Sequence, residues 1–310
     1  MCNHMRQLFF RSFFSGFLFV ILFTSYTMSQ GGMTASHFMF NEACFNPSVA
    51  GHNPQLEVAM LSRTQWVGFD EAPRSGFLTL HAYQRRIGGL GLVVLNDRTG
   101  FESTLNINFQ YAHHLRLSTY STLSLGAGLG LLRKAVDGTK LIYEDEGDVN
   151  AIMHLKKKMK PDFSFGIEFN TPEFTFGVSA THLGQSFNES TLFDIPVHYY
   201  SYAKYRGELS YRFNLVQSAM YRASDNLQQF YLSTILFYDN SLWLGVAYRS
   251  QDAIVGLVGF HVSENIKFGY SYDVTMGRIQ KFNDGSHEVM LRYGFDLNQK
   301  PLLRTTSRVF

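Results

Sequence analysis

The stretch that most constrains the fold of this chain runs from Thr104 to Arg133. Leu105, Ile107, Phe109 and Tyr111 alternate with Asn106, Asn108, Gln110 and Ala112. After a short connection, Arg116 to Tyr120, Leu123, Leu125, Ala127, Leu129 and Leu131 alternate with Ser124, Gly126, Gly128, Gly130 and Leu132. A period of two means strand, because successive Cβ atoms point to opposite faces. Each arm is about 10 residues long, the length a tilted strand needs to cross a bilayer core. One face is apolar and the other is polar or bare glycine, the pattern of two neighbouring staves of a transmembrane β-barrel. The competing reading is a hairpin of a soluble β-sandwich.

The rest of the chain extends the pattern. Fourteen candidate strands fall near 55–64, 76–83, 88–96, 103–115, 121–133, 162–169, 174–182, 198–205, 208–221, 227–237, 242–249, 253–261, 265–273 and 286–297. Alternation is clean in Phe163, Phe165, Ile167 and Phe169 against Ser164, Gly166 and Glu168. It is weak in 208–221 and 253–261. The long connections, Gln65 to Ser75, Lys134 to Pro161, Leu183 to Val197 and Val274 to Gly285, are the first, fifth, seventh and thirteenth. Every even-numbered connection is short, the eighth being Arg206-Gly207. Bacterial barrels have short periplasmic turns and longer outer loops, whereas Greek-key crossovers of a sandwich carry no such parity. With both termini periplasmic, the odd connections face outward. The expected fold is all-β: an antiparallel barrel of about 14 strands with a short N-terminal periplasmic or plug segment.

Composition agrees where it bears on this. Mean hydropathy is −0.09, which reads as soluble, but half of every barrel strand faces a polar interior. The 29 Phe and 17 Tyr against 7 Pro suit interfacial aromatic girdles and strands with little room for proline. A net charge of +2 gives no basic signature of a nucleic-acid partner. Residues 1–29 read as a signal peptide: Arg6 and Arg11, then the apolar stretch Phe13 to Phe23, then Thr27-Met28-Ser29 as a small-residue cleavage site, with Gln30 as the mature terminus. Cys2 leaves with the signal and Cys44 stays alone, which excludes an internal disulfide. Residues 30–54 form a pre-barrel segment, 55–297 the barrel and 298–310 a tail outside its wall.

No catalytic constellation stands out. There is no Gly-x-Ser-x-Gly elbow, His-Glu-x-x-His helix or phosphate-binding glycine loop. Ser271 and Asp273 share a strand face, with His261 in the preceding strand, and are the nearest approach to a hydrolytic set. Glu144, Asp145, Glu146 and Asp148 lie in the longest connection without the spacing of a known Ca²⁺ loop. No metal, cofactor or enzymatic activity is expected. The lumen face carries Gly126, Gly128, Gly130, Gly166, Gly177, Gly245 and Gly269 where a water-filled pore would carry charge. Glycine permits close backbone approach, so a segment is expected to pack there, the candidate being 30–54, with Phe38, Phe40, Phe45 and Asn46-Pro47; the competing reading makes 30–54 a flexible periplasmic extension.

Several blocks carry a further signal. They are Phe38-Met39-Phe40-Asn41, Phe45-Asn46-Pro47-Ser48-Val49-Ala50-Gly51, Arg63-Thr64-Gln65-Trp66-Val67-Gly68-Phe69-Asp70-Glu71-Ala72-Pro73 and Leu95-Asn96-Asp97. Further on come Leu242-Trp243-Leu244-Gly245-Val246-Ala247-Tyr248-Arg249-Ser250, Gly269-Tyr270-Ser271-Tyr272-Asp273 and Gly285-Ser286-His287-Glu288-Val289-Met290-Leu291. In this order they resemble the PorP/SprF family of outer-membrane proteins of the type IX secretion system in Bacteroidetes. The resemblance implies a non-enzymatic 14-stranded barrel of the outer membrane. It implies partnership with other secretion components and with a secreted adhesin or its C-terminal domain, and a link to gliding motility; membrane lipids are the remaining partner. A solute channel or transporter is the alternative. Glu42 after Asn41, Ser48-Val49 and Cys44 depart from the family pattern and leave subgroup and cargo open. Phe40, Asn41, Phe45, Asn46, Pro47, Gly51, Gln65 and Trp66 are the candidate plug or partner contacts. The competing account gives Asn-Pro and Gly a turn-forming role and Trp66 a membrane-interface role.

Overall fold

A computed structural model describes residues 35–53, 55–140, 154–184, 195–225 and 227–295. The expected signal peptide, the acidic group of the longest connection and the expected C-terminal tail lie outside the described residues. The strands are β1 (Leu56–Thr64), β2 (Arg74–Gln84), β3 (Gly88–Thr99), β4 (Glu102–Arg116) and β5 (Thr122–Asp137). Then come β6 (Leu155–Asn170), β7 (Phe174–Thr181), β8 (His198–Glu208), β9 (Phe213–Ser224) and β10 (Leu227–Tyr238). The last are β11 (Leu242–Arg249), β12 (Ala253–His261), β13 (Ile266–Thr275) and β14 (Ser286–Phe295). Each pairs antiparallel with the next, and β14 pairs with β1, so the sheet closes into a 14-stranded barrel. Closure leaves no sheet edge, and therefore no row of unpaired backbone groups to meet hydrocarbon. Among the described residues no helix is long and apolar enough to cross a membrane; the crossing is made by strands.

Side chains sort by parity. Phe109 on β4 and Leu129 on β5 are 64% and 59% exposed on the outer wall, while Asn106, Asn108 and Gln110 are buried inside. The inner wall of β5 is Gly126, Gly128 and Gly130, as the alternation predicts. The β12 strand, weakly patterned in sequence, forms over Ala253–His261 with Val255 and Leu257 inward and Ile254 and Val258 outward.

Two boundaries differ from the sequence reading. The turn between β8 and β9 is residues 209–212, not Arg206-Gly207. Leu209 N–H bonds Phe213 O at 2.9 Å and Tyr211 stands in solvent, which is why alternation fails across 208–221. The strands β5 and β6 also run further outward than expected, 16 residues each. At about 3.3 Å per residue that is roughly 50 Å, well beyond the ~25 Å apolar band of such barrels. Their outer ends pair Lys158 with Lys134 and Lys156 with Val136. Polar residues on both faces hide these ends from a search for greasy alternation.

Candidate functional site: a segment folded across the lumen

Residues 35–53 lie inside the barrel. Local chemistry shapes them into three 3-10 turns, Phe38–Phe40, Glu42–Cys44 and Pro47–Val49. The third starts on Asn46, whose Oδ1 accepts from Ser48 N–H at 3.0 Å and Ser48 Oγ–H at 2.7 Å, with Pro47 at the first turn position, where its missing N–H costs nothing. Short turns separated by extended residues let nineteen residues reach from one rim of the barrel to the other.

At the outer rim the segment meets a buried charge network. Glu288 on β14 accepts the backbone N–H groups of Ser36 and His37, both at 2.8 Å. Ser36 Oγ donates to Asp273 on β13 at 2.9 Å and accepts from Arg63 on β1 at 2.9 Å. Arg63 and Arg249 both donate to Asp273 Oδ2, at 2.7 and 2.5 Å, and Arg249 also pairs with Asp252. Arg63, Arg249, Asp273 and Glu288 are all at most 2% exposed. Buried charges are tolerated only when paired and hydrogen-bonded, and here the plug backbone and Ser36 supply part of the pairing.

Further down, aromatic rings from plug and wall interlock. Phe38 packs edge-on to Tyr231 at 5.7 Å, Phe40 lies 5.5 Å from Trp243, and Phe45 stacks on Tyr200 at 5.2 Å and meets Tyr202 edge-on at 5.5 Å. Wall side chains take up backbone carbonyls that would otherwise be stranded: Lys204 Nζ donates to Met39 O at 2.9 Å, Arg292 to Phe40 O at 3.2 Å, Gln110 to Ala43 O at 2.9 Å and Ser179 to Phe45 O at 2.7 Å. Lys204 also pairs with Glu42, and Thr79 donates to Asn41 Oδ1 at 3.1 Å.

At the inner rim the plug lies against glycine. A Cβ at Gly166 would stand 1.9 Å from Asn46 Oδ1, and one at Gly126 would stand 2.1 Å from Ser48 N. A Cβ at Gly51, whose φ is +67°, would stand 2.5 Å from Gly89 Cα. Asn46 Nδ2 donates to Tyr202 Oη at 2.9 Å, Tyr202 bonds Glu168, and Glu168 lies 3.2 Å from His52. The segment reaches β1 through Asn53, which donates to Glu57 at 2.9 Å. Cys44 sits within this packing. Burial, and then the negative charges of Glu288 and Glu42, push its thiol well above the ordinary range.

The structure therefore places Phe40, Asn41, Phe45, Asn46, Pro47 and Gly51 together in the lumen. Gln65 and Trp66 are elsewhere, in the β1–β2 connection at the outer rim. There Gln65 N–H bonds Pro73 O at 2.9 Å, Trp66 N–H bonds Ser286 Oγ at 3.1 Å, and Val67 N–H bonds Gly285 O at 2.8 Å. Ser271, Asp273 and His261 do not form a reactive set: Asp273 is occupied by two arginines and Ser36, while His261 is at the opposite end of the β12–β13 hairpin, paired with Lys267. Among the described residues no group of three or more His, Cys, Asp or Glu is disposed to hold a metal ion. Ser36, His37, Arg63, Arg249, Asp273, Glu288 and Lys204 escaped the sequence reading as plug ligands. The available signal was a charged residue on an inward parity position: Arg63, Arg249, Asp273 and Glu288 each sit in a separate family block, and the fold brings those blocks together.

Comparison with known proteins agrees with this architecture. No curated protein sequence matches the chain. Among solved structures, the toluene transporter TbuX of Ralstonia pickettii is 10% identical, with a TM-score of 0.50 over 86% of this chain and 96% of that one. The toluene transporter TodX of Pseudomonas putida is 9% identical, with a TM-score of 0.50 over 87% and 96%. At such identities the likeness is one of barrel fold. The sequence itself matches, over residues 27–293, the family described as type IX secretion system membrane protein PorP/SprF. With a plugged 14-stranded barrel underlying blocks that span most of its length, the chain belongs to the PorP/SprF family of type IX secretion system membrane proteins.

Proposed function

We propose that this protein is a non-enzymatic barrel of the outer membrane that serves as partner or anchor for a cognate secreted protein, an adhesin, during its secretion or surface attachment, with a link to gliding motility. The observation that supports it is the occupied lumen. A wall of 14 strands is wide enough to hold an aqueous passage or a plug, and here the chain's own segment fills it, hydrogen-bonded through Ser36 and His37 to a buried ion-pair network contributed by β1, β11, β13 and β14. A barrel so filled is suited to meet a macromolecule at its rim. Gln65 and Trp66, in the outer β1–β2 connection, are the proposed partner contacts on that rim, and the signal peptide is removed near Ser29.

The discriminating experiment is deletion of the gene. Loss of one large surface protein with its transcript intact supports the reading, and a pull-down from outer membranes then names the partner. The competing reading, a small-solute channel, takes its support from the barrel likeness to hydrocarbon transporters. Unchanged secretion with altered solute uptake in the deletion strain would establish that reading instead.

A further inference from the structure

We propose that the mature N-terminus of this protein is displayed at the outer mouth of the barrel, on the cell surface, while the barrel wall begins and ends on the periplasmic side. The inference needs only the orientation of the barrel and stands independently of the secretion reading. It departs from the expectation that both termini are periplasmic.

The long connections of the structure, residues 65–73, 138–154, 182–197 and 276–285, all join an odd strand to the even strand after it, and they share one rim. The connections on the other rim are short, such as 85–87, 117–121 and 171–173. Long connections face outward in barrels of the bacterial outer membrane. The first residue of β1, Leu56, and the last of β14, Phe295, are register partners on the short-turn rim. The plug does not stay there. From His52 and Asn53, beside Asn170 at the inner end of β6 and Glu57 near the start of β1, it runs backwards along the sequence through the whole lumen. It arrives at Ser36, whose partners mark the opposite rim: Arg63 is the penultimate residue of β1, Asp273 lies two residues from the end of β13, and Asp273 faces Ser286, the first residue of β14.

Ser36 is therefore held at the outer mouth, and Glu288 fixes its backbone there. Cleavage near Ser29 leaves Gln30 only a few residues ahead of this anchor. Ser36 thereby lies on the rim where Trp66 N–H bonds Ser286 Oγ and joins the β1–β2 connection to the start of β14.

The test is labelling of intact cells with a membrane-impermeant maleimide. The protein is well suited to it, because Cys2 leaves with the signal and Cys44, itself part of the plug, lies half-buried inside the lumen. Three single variants are compared: Thr34→Cys near the terminus, Gln280→Cys in the β13–β14 connection and Tyr120→Cys in the β4–β5 turn. The proposal expects Thr34→Cys and Gln280→Cys to label in intact cells to the same extent, and Tyr120→Cys to label at least tenfold less until the outer membrane is permeabilised. Labelling of Thr34→Cys only after permeabilisation or only in denaturant, with Gln280→Cys reactive in intact cells, overturns it. The inverse pattern, Tyr120→Cys reactive and Gln280→Cys silent, overturns it through the orientation. An epitope inserted after Gln30, read by antibody on intact cells, gives the same decision if a cysteine variant fails to accumulate.

Discussion

Glu288 Oε1 accepts the backbone N–H of His37 at 2.8 Å and lies 2.7 Å from the ring Nδ1 of the same residue. One carboxylate oxygen thus fixes both the main chain and the side chain of a plug residue, while Oε2 holds Ser36. Replacing Glu288 by Ala strands two backbone donors and leaves Arg63 with one carboxylate fewer. Breaking a buried pair in this way costs about 3–5 kcal/mol. The expected outcome in planar-bilayer recordings is intermittent conductance bursts from Glu288→Ala against a silent parent. Glu288→Gln, which keeps one acceptor, should fall between the two.

Removing the plug altogether should convert the barrel into a constant pore. Deletion of residues 35–53 exposes the inward faces of Arg63, Arg249, Asp273, Lys204 and Glu168 to water. It does not touch the strand pairing that closes the wall. Steady, large unitary currents are expected, together with a lower temperature for the shift between folded and unfolded mobility on gels. Silence from a folded deletion variant would mean that the wall itself collapses inward.

Two of the glycine positions under the plug, Gly126 and Gly166, should be intolerant of side chains. Gly126→Val drives its branch into Ser48 N, and Gly166→Val into Asn46. Both neighbours belong to one capped turn with little freedom to retreat. Overpacking of this kind costs about 1–3 kcal/mol and displaces backbone. Gly256, whose Cβ would meet nothing within 4 Å, is the control. Gly256→Ala should leave protease resistance and heat stability unchanged, while the two valine variants become sensitive to protease within residues 35–53.

Cys44 reports on the same packing by chemistry. The reactive species is the thiolate, and an exposed thiol is half ionised near pH 8.5. In the folded protein burial raises the Cys44 thiol, so the proton stays on at pH values where the unfolded chain has lost it. The contribution of this group to stability is complete below the unfolded value and falls as pH rises above it. Between pH 8 and 9 the parent protein should react with maleimide at least tenfold slower than its urea-unfolded form. Glu288→Ala should react at an intermediate rate.

Much of the wall was legible in sequence because each strand writes its two environments directly into alternate positions. That is why β12 formed where a weak pattern placed it. The readable signal stops where both faces become polar, at Lys156–Lys158, and where a tight turn interrupts the period, at Leu209–Arg212. Of the inner-wall glycines, Gly126, Gly166 and Gly269 lie against the plug, whereas Gly128, Gly130, Gly177 and Gly245 lie against neighbouring wall strands. The ligands of the plug were a different matter. Arg63 and Glu288 are more than two hundred residues apart in sequence, and each alone looks like an ordinary lumen charge. Closure of the sheet makes them neighbours, and only then does their shared task with Ser36 become visible.

Arg63 and Glu288 are also register partners across the β1–β14 seam, the join between the first and last strands made. The plug precedes β1 in the chain and lies inside the cylinder that this join closes. The residues that seal the cylinder are thus the residues that seize its contents. Without Ser36 and His37 the seam would hold Arg63 and Glu288 with part of their hydrogen bonding unmet. Closure of the wall and retention of the plug therefore rest on one shared pair of side chains.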